Sequence, residues 1–278
     1  MANIKIAIIS DLHSNLEATK KVFEDIKNRN VSKIICLGDL VAKGHHPNEC
    51  IDLVKKNCFI VLRGNTDRHF SQEHCLDEIE EVEKRRVIWN QKMINDENKQ
   101  YLSNLPFCHE FYMSGSLIRL FHAHPQKDNI PVLNLDTVST KSKMFEPSGN
   151  TISQKNADVV IYGHIHHQYL DKLYNKTLIN VGSVGNAFDV LRKEEFDSDI
   201  RETTNAHYLI VEGEYEETNY GDDINFQFVR VPYDISKELQ DLSSNLEPES
   251  YSYEIEKGMY RDMSKIEQGF KDRGTTLR

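Results

Sequence analysis

Apolar residues in this chain fall in short runs, and the early runs end on polar residues of a recurring kind. Residues 4–9, 33–37 and 58–62 are near-continuous apolar stretches, the pattern of strands covered on both faces. Between the first two, Leu16, Val22, Phe23 and Ile26 recur at helical spacing, with Asn15 or Ser14 available as the cap. Pro47 opens a second helix at a position that tolerates a missing N–H, and Ile51, Leu53 and Val54 follow. The interval from His13 to Asp39 equals that from Asp39 to Asn65. That length suits a strand–helix–strand crossover, which is almost always right-handed. The strand ends therefore share one carboxyl edge, where open α/β sheets bind their ligands.

Residues 77–105 read as a helical insert projecting from this core, with Ile79, Val82, Val87, Trp89 and Met93 as its apolar positions. Glu78, Glu80, Glu81 and Glu83, followed by Lys84, Arg85 and Arg86, read as a solvated face with acids N-terminal to bases. Trp89 is expected as a packing anchor rather than a stacking surface. The second half is richer in strands. Residues 107–113 and 117–121 flank Ser114-Gly115-Ser116 as a hairpin. Strands at 157–162 and 168–174 precede a tight turn at Asn175-Lys176, and 177–181, 206–212 and 225–231 complete the set. Weak periodicity over 128–156 predicts a loop-rich rim near the strand ends. Beyond Pro232 the pattern is helical and polar. The organisation expected is one α/β domain over 1–232, with its helical insert, and a helical extension over 233–278 packed on the same domain.

Composition narrows the function classes. A chain of 278 residues with 38% hydrophobic content can bury a sizeable core. Its net charge of -10 disfavours broad binding to nucleic acid or to an anionic membrane. A small anionic substrate is still compatible, because bound cations reverse the local field. The N-terminal segment lacks a charged n-region and a small-residue cleavage site, so it reads as the first strand and not as a signal peptide. No run approaches the ~18 apolar residues of a membrane span. The five cysteines are odd in number and form no CxxC pair, which reads as reduced thiols in a cytoplasmic protein.

Candidate chemistry gathers at the ends of the apolar runs. There stand Asp11-Leu12-His13, Gly38-Asp39, Gly64-Asn65-Thr66-Asp67, His122-Ala123-His124 and Gly163-His164-Ile165-His166. Asp, Asn and His from several parallel strands on one edge make a metal site in preference to a scatter of polar residues. The remaining histidines, among them His45, His46, His69, His74, His109 and His207, are expected as ordinary surface or core residues.

In this order the motifs resemble the calcineurin-like metallophosphoesterase superfamily, whose signature runs DxH, GD, GN(H/D), H, GHxH. The likeness covers residues 5–185, and no single motif carries it alone. It implies a four-layer αββα sandwich of two mixed β-sheets packed face to face and flanked by helices. It also implies two divalent ions. Asp11, His13 and His166 would hold the first, Asn65, His122 and His164 the second, and Asp39 both. A carboxylate can share its two oxygens between cations, as an imidazole cannot. His122 is preferred to His124 because the family pattern His-Gly-x-Pro aligns His122 with Pro125, Ala123 standing for the glycine. Mixed nitrogen and oxygen ligands suit manganese or iron, with zinc, nickel and magnesium left open.

The activity implied is hydrolysis of phosphodiesters, with phosphomonoesters second, by a hydroxide held between the ions. Asp39, Asn65 and His122 would act through the metal centre. Dinucleoside polyphosphate hydrolysis, protein dephosphorylation and a non-catalytic interaction module on the same fold are the alternatives. The partner expected is a small phosphate ester, and the oligomeric state is left open. One departure stands out, matching a bacterial phosphodiesterase-like branch. Many relatives read GNHD, where the histidine protonates the leaving group; here Thr66 takes its place and cannot act as a general acid at neutral pH. Asn15, Asp67, Arg68 and His167 are candidate substrate contacts, set against a helix cap for Asn15 and a surface ion pair for Arg68. The segment from Asn180 to Gly185 resembles the family's NxGSxG turn, and either frees backbone N–H groups for an anion or is a plain tight turn.

Overall fold

In the computed structural model of the chain, residues 3–70, 81–188, 205–219, 223–243 and 251–258 are described. Among the described residues, ten strands form two five-stranded mixed sheets. The first holds β1 (Asn3–Ile9), β2 (Lys33–Cys36), β3 (Ile60–Val61), β9 (Ala206–Glu214) and β10 (Asn225–Val231) in the order β10-β9-β1-β2-β3. The second holds β4 (Cys108–Met113), β5 (Ser116–Phe121), β6 (Val159–Tyr162), β7 (Tyr169–Leu173) and β8 (Lys176–Asn180) in the order β4-β5-β6-β8-β7. Strands β1, β2 and β3 run parallel, as do β5, β6 and β8. The outer partners of each sheet pair antiparallel.

Alternation along the strands decides the layers. Ile6 and Ile8 of β1 and Ile35 of β2 face inward onto Ile118, Leu120, Val159, Ile161 and Ile179 of the second sheet. Ala7 and Ile9, one residue out of phase, face the opposite way. They join Val22 and Ile26 of α1 (Leu16–Lys27) and Ile51 and Val54 of α2 (Pro47–Asn57). Beyond the second sheet, Phe121, Val160, Tyr162 and Leu178 are covered by Val132, Leu133, Met144 and Phe145. The expected sandwich of two packed sheets with helices outside is therefore present.

Several local expectations change. The segment 128–156 is a packed outer layer and not merely a rim. It carries only a short helix (Val138–Ser142) and a 3-10 turn (Lys143–Phe145). Arg119 of β5 holds it down: this fully buried guanidinium donates to Glu110 Oε1 at 2.7 Å and to the carbonyls of Phe145, Glu146, Ser153 and Lys155. The insert forms two helices, α4 (Glu81–Met93) and α5 (Asp96–Ser103). It does not simply project, because Ile94, Leu102 and Leu105 join the core outside the first sheet. Its residues 77–80 lie outside the described residues. Trp89 is only partly buried, with its ring centroid 5.8 Å from that of His45 in the loop after Asp39. The β7–β8 turn is one residue earlier than expected, with Tyr174 at φ +57° and Lys176 already in β8.

Of the extension, two helices are described, Ile235–Ser243 and Tyr251–Lys257. The first packs on α1, and Tyr251 and Ile255 of the second are buried. Residues 244–250 and 259–278 lie outside the described residues. No described helix is long and apolar enough to cross a membrane.

Replacing Arg119 with Met should lower unfolding stability by about 3–5 kcal/mol, because Glu110 would be left buried without its cation. A urea-denaturation midpoint within error of wild type would show that the 143–155 layer is held by apolar contacts alone.

Candidate metal centre

Each motif begins where a parallel strand stops. Asp11 and His13 follow β1, Asp39 follows β2, and Asn65 opens the single-turn helix α3 (Asn65–Arg68) after β3. His122 follows β5, while His164 and His166 follow β6. Cross-sheet bonds bring the two edges together. His122 Nδ1 donates to Leu37 O at 3.1 Å, and His164 N donates to Asp11 Oδ2 at 3.0 Å. Two groups of convergent donor atoms result, Asp11 with His13 and His166, and Asp39 with His122 and His164. Asn65 Oδ1 joins the second, 3.1 Å from His122 Nε2. Asp39 Oδ2 lies 3.5 Å from His122 Nε2 and 3.7 Å from His13 Nε2, so it faces both groups.

The backbone is unusual at these positions. Asp11, His13, Asp39, His164 and His166 all have positive φ, between 48° and 68°. L-residues adopt this left-handed region at a cost, and such strain gathers at functional sites. Two glycines make the tight approach between the β2 and β3 loops. Gly38 has φ +102°, and a Cβ there would stand 2.2 Å from Gly64 N. A Cβ on Gly64 would stand 2.0 Å from Asp39 Oδ1.

The donor set fits cations. His13 Nδ1, His122 Nδ1 and His166 Nδ1 each meet a backbone carbonyl, of Val41, Leu37 and Asn186 respectively. A carbonyl only accepts, so each of these Nδ1 atoms carries a proton and each Nε2 is turned inward. With burial holding its ring neutral, His13 presents a bare Nε2 lone pair 3.0 Å from His166 Nε2. Asp11 Oδ1 is buried and accepts no hydrogen bond, 3.2 Å from His166 Nε2. Bare lone pairs and two carboxylates at such separations repel unless positive charge lies among them.

Titration follows the same geometry. Burial works against ionising Asp11, but the imidazoles of His166 and His122 outweigh it and hold the carboxyl below its usual range. Asp39 behaves likewise, with burial outweighed chiefly by His122. Burial, then the nearby Lys43 charge, lowers His13 to about 3. Burial and His122 lower His164 to about 4. For His122, burial is overcome by the carboxylates of Asp39 and Asp11, which raise it to about 10.

The proposed substrate contacts fare unevenly. Of its two alternatives Asn15 takes the helix cap: it is buried and caps α1, accepting from Ala18 N while its amide donates to Gly185 O. Asp67 is occupied by backbone. Its carboxylate is wholly buried and accepts from the backbone N–H groups of Asp39, Leu40 and Gly64, so it ties the β2 loop to α3. Burial and the neighbouring Asp39 charge raise its pKa to about 7. The Asn180–Gly185 segment proves to be a scaffold turn. Val184 N and Gly185 N donate to Ser10 O and Asp11 O, and Ser183 Oγ donates to Asp11 O. Arg68 and His167 are part-exposed, with Arg68 Nε 3.2 Å from Asp128 Oδ2 and His167 Nδ1 3.0 Å from Phe188 O. His124 lies outside both groups and accepts from Gln126 N. Thr66 Oγ1 donates to Val41 O, and its N–H donates to Asp39 Oδ1 at 2.9 Å.

Some supporting residues carried no signal in the sequence. Lys43, Asn186 and Glu254 come from three distant segments and meet beside the first group. The carbonyls that orient the imidazoles belong to apolar or small polar residues that no motif marks. The Gly64 contact yields a direct test: Gly64→Ala should cut bound metal at least tenfold, because the new methyl would displace Asp39. Elemental analysis of the folded variant with full metal content would remove that glycine's role.

Comparison with known proteins agrees with this architecture. Residues 4–212 match the calcineurin-like phosphoesterase superfamily domain. An uncharacterized protein of Methanocaldococcus jannaschii is 33% identical over 255 residues, covering 90% of this chain and 96% of that protein. A crystal structure of a metallophosphoesterase from Sphaerobacter thermophilus shares the fold at a TM-score of 0.65 and 23% identity, covering 92% of this chain and 99% of that one. A hypothetical protein from Pyrococcus horikoshii does so at a TM-score of 0.69 and 16% identity, covering 92% and 98%. With its sheets, its strand-end motifs and its domain match in accord, the chain belongs to the calcineurin-like phosphoesterase superfamily.

Proposed function

We propose that this chain is a hydrolase that cleaves phosphodiesters, with two divalent ions held by Asp11, His13, Asp39, Asn65, His122, His164 and His166. The observation that carries the reading is the convergence of imidazole Nε2 atoms on the Asp11 and Asp39 carboxylates, with one Asp11 oxygen buried and accepting no hydrogen bond. When bound, such an ion pair supplies Lewis-acid charge to phosphoryl oxygens and brings a water's pKa toward neutrality. Manganese or iron is the pair this donor set favours. Residues 1–232 are read as the catalytic unit and 233–278 as its extension, whose described helices pack on it. The reading places the enzyme in the cytoplasm, supported by Cys36, Cys50, Cys58 and Cys108, which are free thiols.

The chain's own residues set the approach of the substrate. Asp11, His13 and His166 are buried, whereas Asn65 and His164 are part-exposed, so the site opens on the second group's side. Arg63 and Arg68 bracket Asn65 there. Their Nε atoms lie 3.7 and 3.2 Å from the same buried Asp128 oxygen. The two guanidinium groups stand beside Asn65, where they suit the phosphate of a small ester. Thr66, with its hydroxyl turned to Val41 O, offers the leaving group no proton. Good leaving groups should therefore be favoured.

With manganese added to metal-free protein, hydrolysis of a p-nitrophenyl phosphodiester should appear, and Asp39→Asn should reduce it at least 100-fold. No turnover with any divalent ion would favour an interaction module instead. Across a leaving-group series, aryl esters should exceed alkyl esters by about 100-fold beyond a relative that retains the general acid. A flat series would place a proton donor at the mouth after all.

A further inference from the structure

The C-terminal extension reaches the candidate metal centre through a buried ion pair. Glu254, in the Tyr251–Lys257 helix, is fully buried, and its Oε2 accepts from Lys43 Nζ at 3.1 Å and from Asn186 Nδ2 at 2.8 Å. Both partners belong to the site's framework. Asn186 O accepts from His166 Nδ1 at 2.7 Å, and Gly44 N, next to Lys43, donates to His13 O. Tyr251 Oη of the same helix donates to Gly185 O, whose own N–H holds Asp11 O. All three candidate ligands of the first group are therefore touched, at one remove, by a cluster that one helix closes.

The charges carry the argument further. Lys43 is 93% shielded from solvent, so its ammonium is poorly screened and would repel cations at the first group. Glu254 supplies the opposite charge from the far end of the chain. We propose that Glu254 is a positioning residue for the first metal, cancelling the Lys43 charge and fixing the Asn186 carbonyl that orients His166. The proposal rests on the two-ion reading of the site. It assigns the extension a part in metal retention beyond covering an apolar surface.

Charge balance and packing make opposite predictions for three variants. Glu254→Gln keeps an acceptor for Asn186 but leaves Lys43 uncompensated, and should weaken Mn2+ binding by about 10–100-fold, the usual effect of an outer-shell change. Lys43→Met removes the repelling ammonium and should bind Mn2+ as tightly as wild type or more so. The double variant carries neither charge and should return to within about threefold of wild type. Affinities are read by calorimetric titration of metal-free protein, with the melting temperature of each metal-free variant alongside. Equal affinity in Glu254→Gln and wild type would overturn the proposal. So would a Lys43→Met variant as weak as Glu254→Gln, which would mark the pair as packing only. Should Glu254→Gln not fold, Lys43→Met must still bind at least as tightly as wild type, and weaker binding overturns the proposal. Wild-type protein that binds no Mn2+ would overturn the underlying two-ion reading as well, and is told apart by that protein alone.

Discussion

Five candidate ligands sit on left-handed backbone, and the surrounding structure is what keeps them there. Each such residue costs of order 1–3 kcal/mol, so the site is stable only if neighbouring contacts over-determine it. Those contacts are visible. Asp11 N and His13 N donate to Gly38 O and Asp39 O, which laces the β1 loop to the β2 loop. Asp39 is pinned in turn by Asp67, which accepts its N–H, and by Thr66, whose N–H meets its side chain. Gly163 N donates to His122 O, which joins the loops of the second sheet. The apolar layer between the sheets sets the distance across which these loops meet.

Orientation of the imidazoles depends on carbonyls more than on carboxylates. Val41, Leu37 and Asn186 each accept from an Nδ1, and each belongs to a loop already fixed by the strand it follows. The carboxylates are thereby left with oxygen lone pairs directed into the centre. Such an arrangement is costly without cations and stabilising with them, which couples metal binding to folding of these loops.

The extension is bound into this system. Glu238 Oε2 accepts from Glu17 N near the start of α1, and Tyr233 lies against the Asn15 amide. Tyr251 and Glu254 meet the loop after β8 and the loop after β2. Polar helices with few apolar positions are usually read as loosely attached. Here buried polar atoms add to the apolar contacts of Tyr251 and Ile255 in making the attachment.

The sequence by itself determined the strands, the first two helices and the set of residues that could bind metal. Those signals are local: apolar periodicity, a proline at a helix start, and polar residues at strand ends. It also carried the family resemblance, because the motif order survives as text. Tertiary structure alone decided the roles of Asp67 and Asn15, since a carboxylate or amide beside a site looks the same whether it meets substrate or backbone. Only the fold revealed Arg119 as the anchor of the 143–155 layer, whose weak periodicity hid its packing. The meeting of Lys43, Asn186 and Glu254 was likewise beyond any local pattern. Their pairing depends on distances across the folded chain, and residues so far apart in sequence leave no periodic trace of contact.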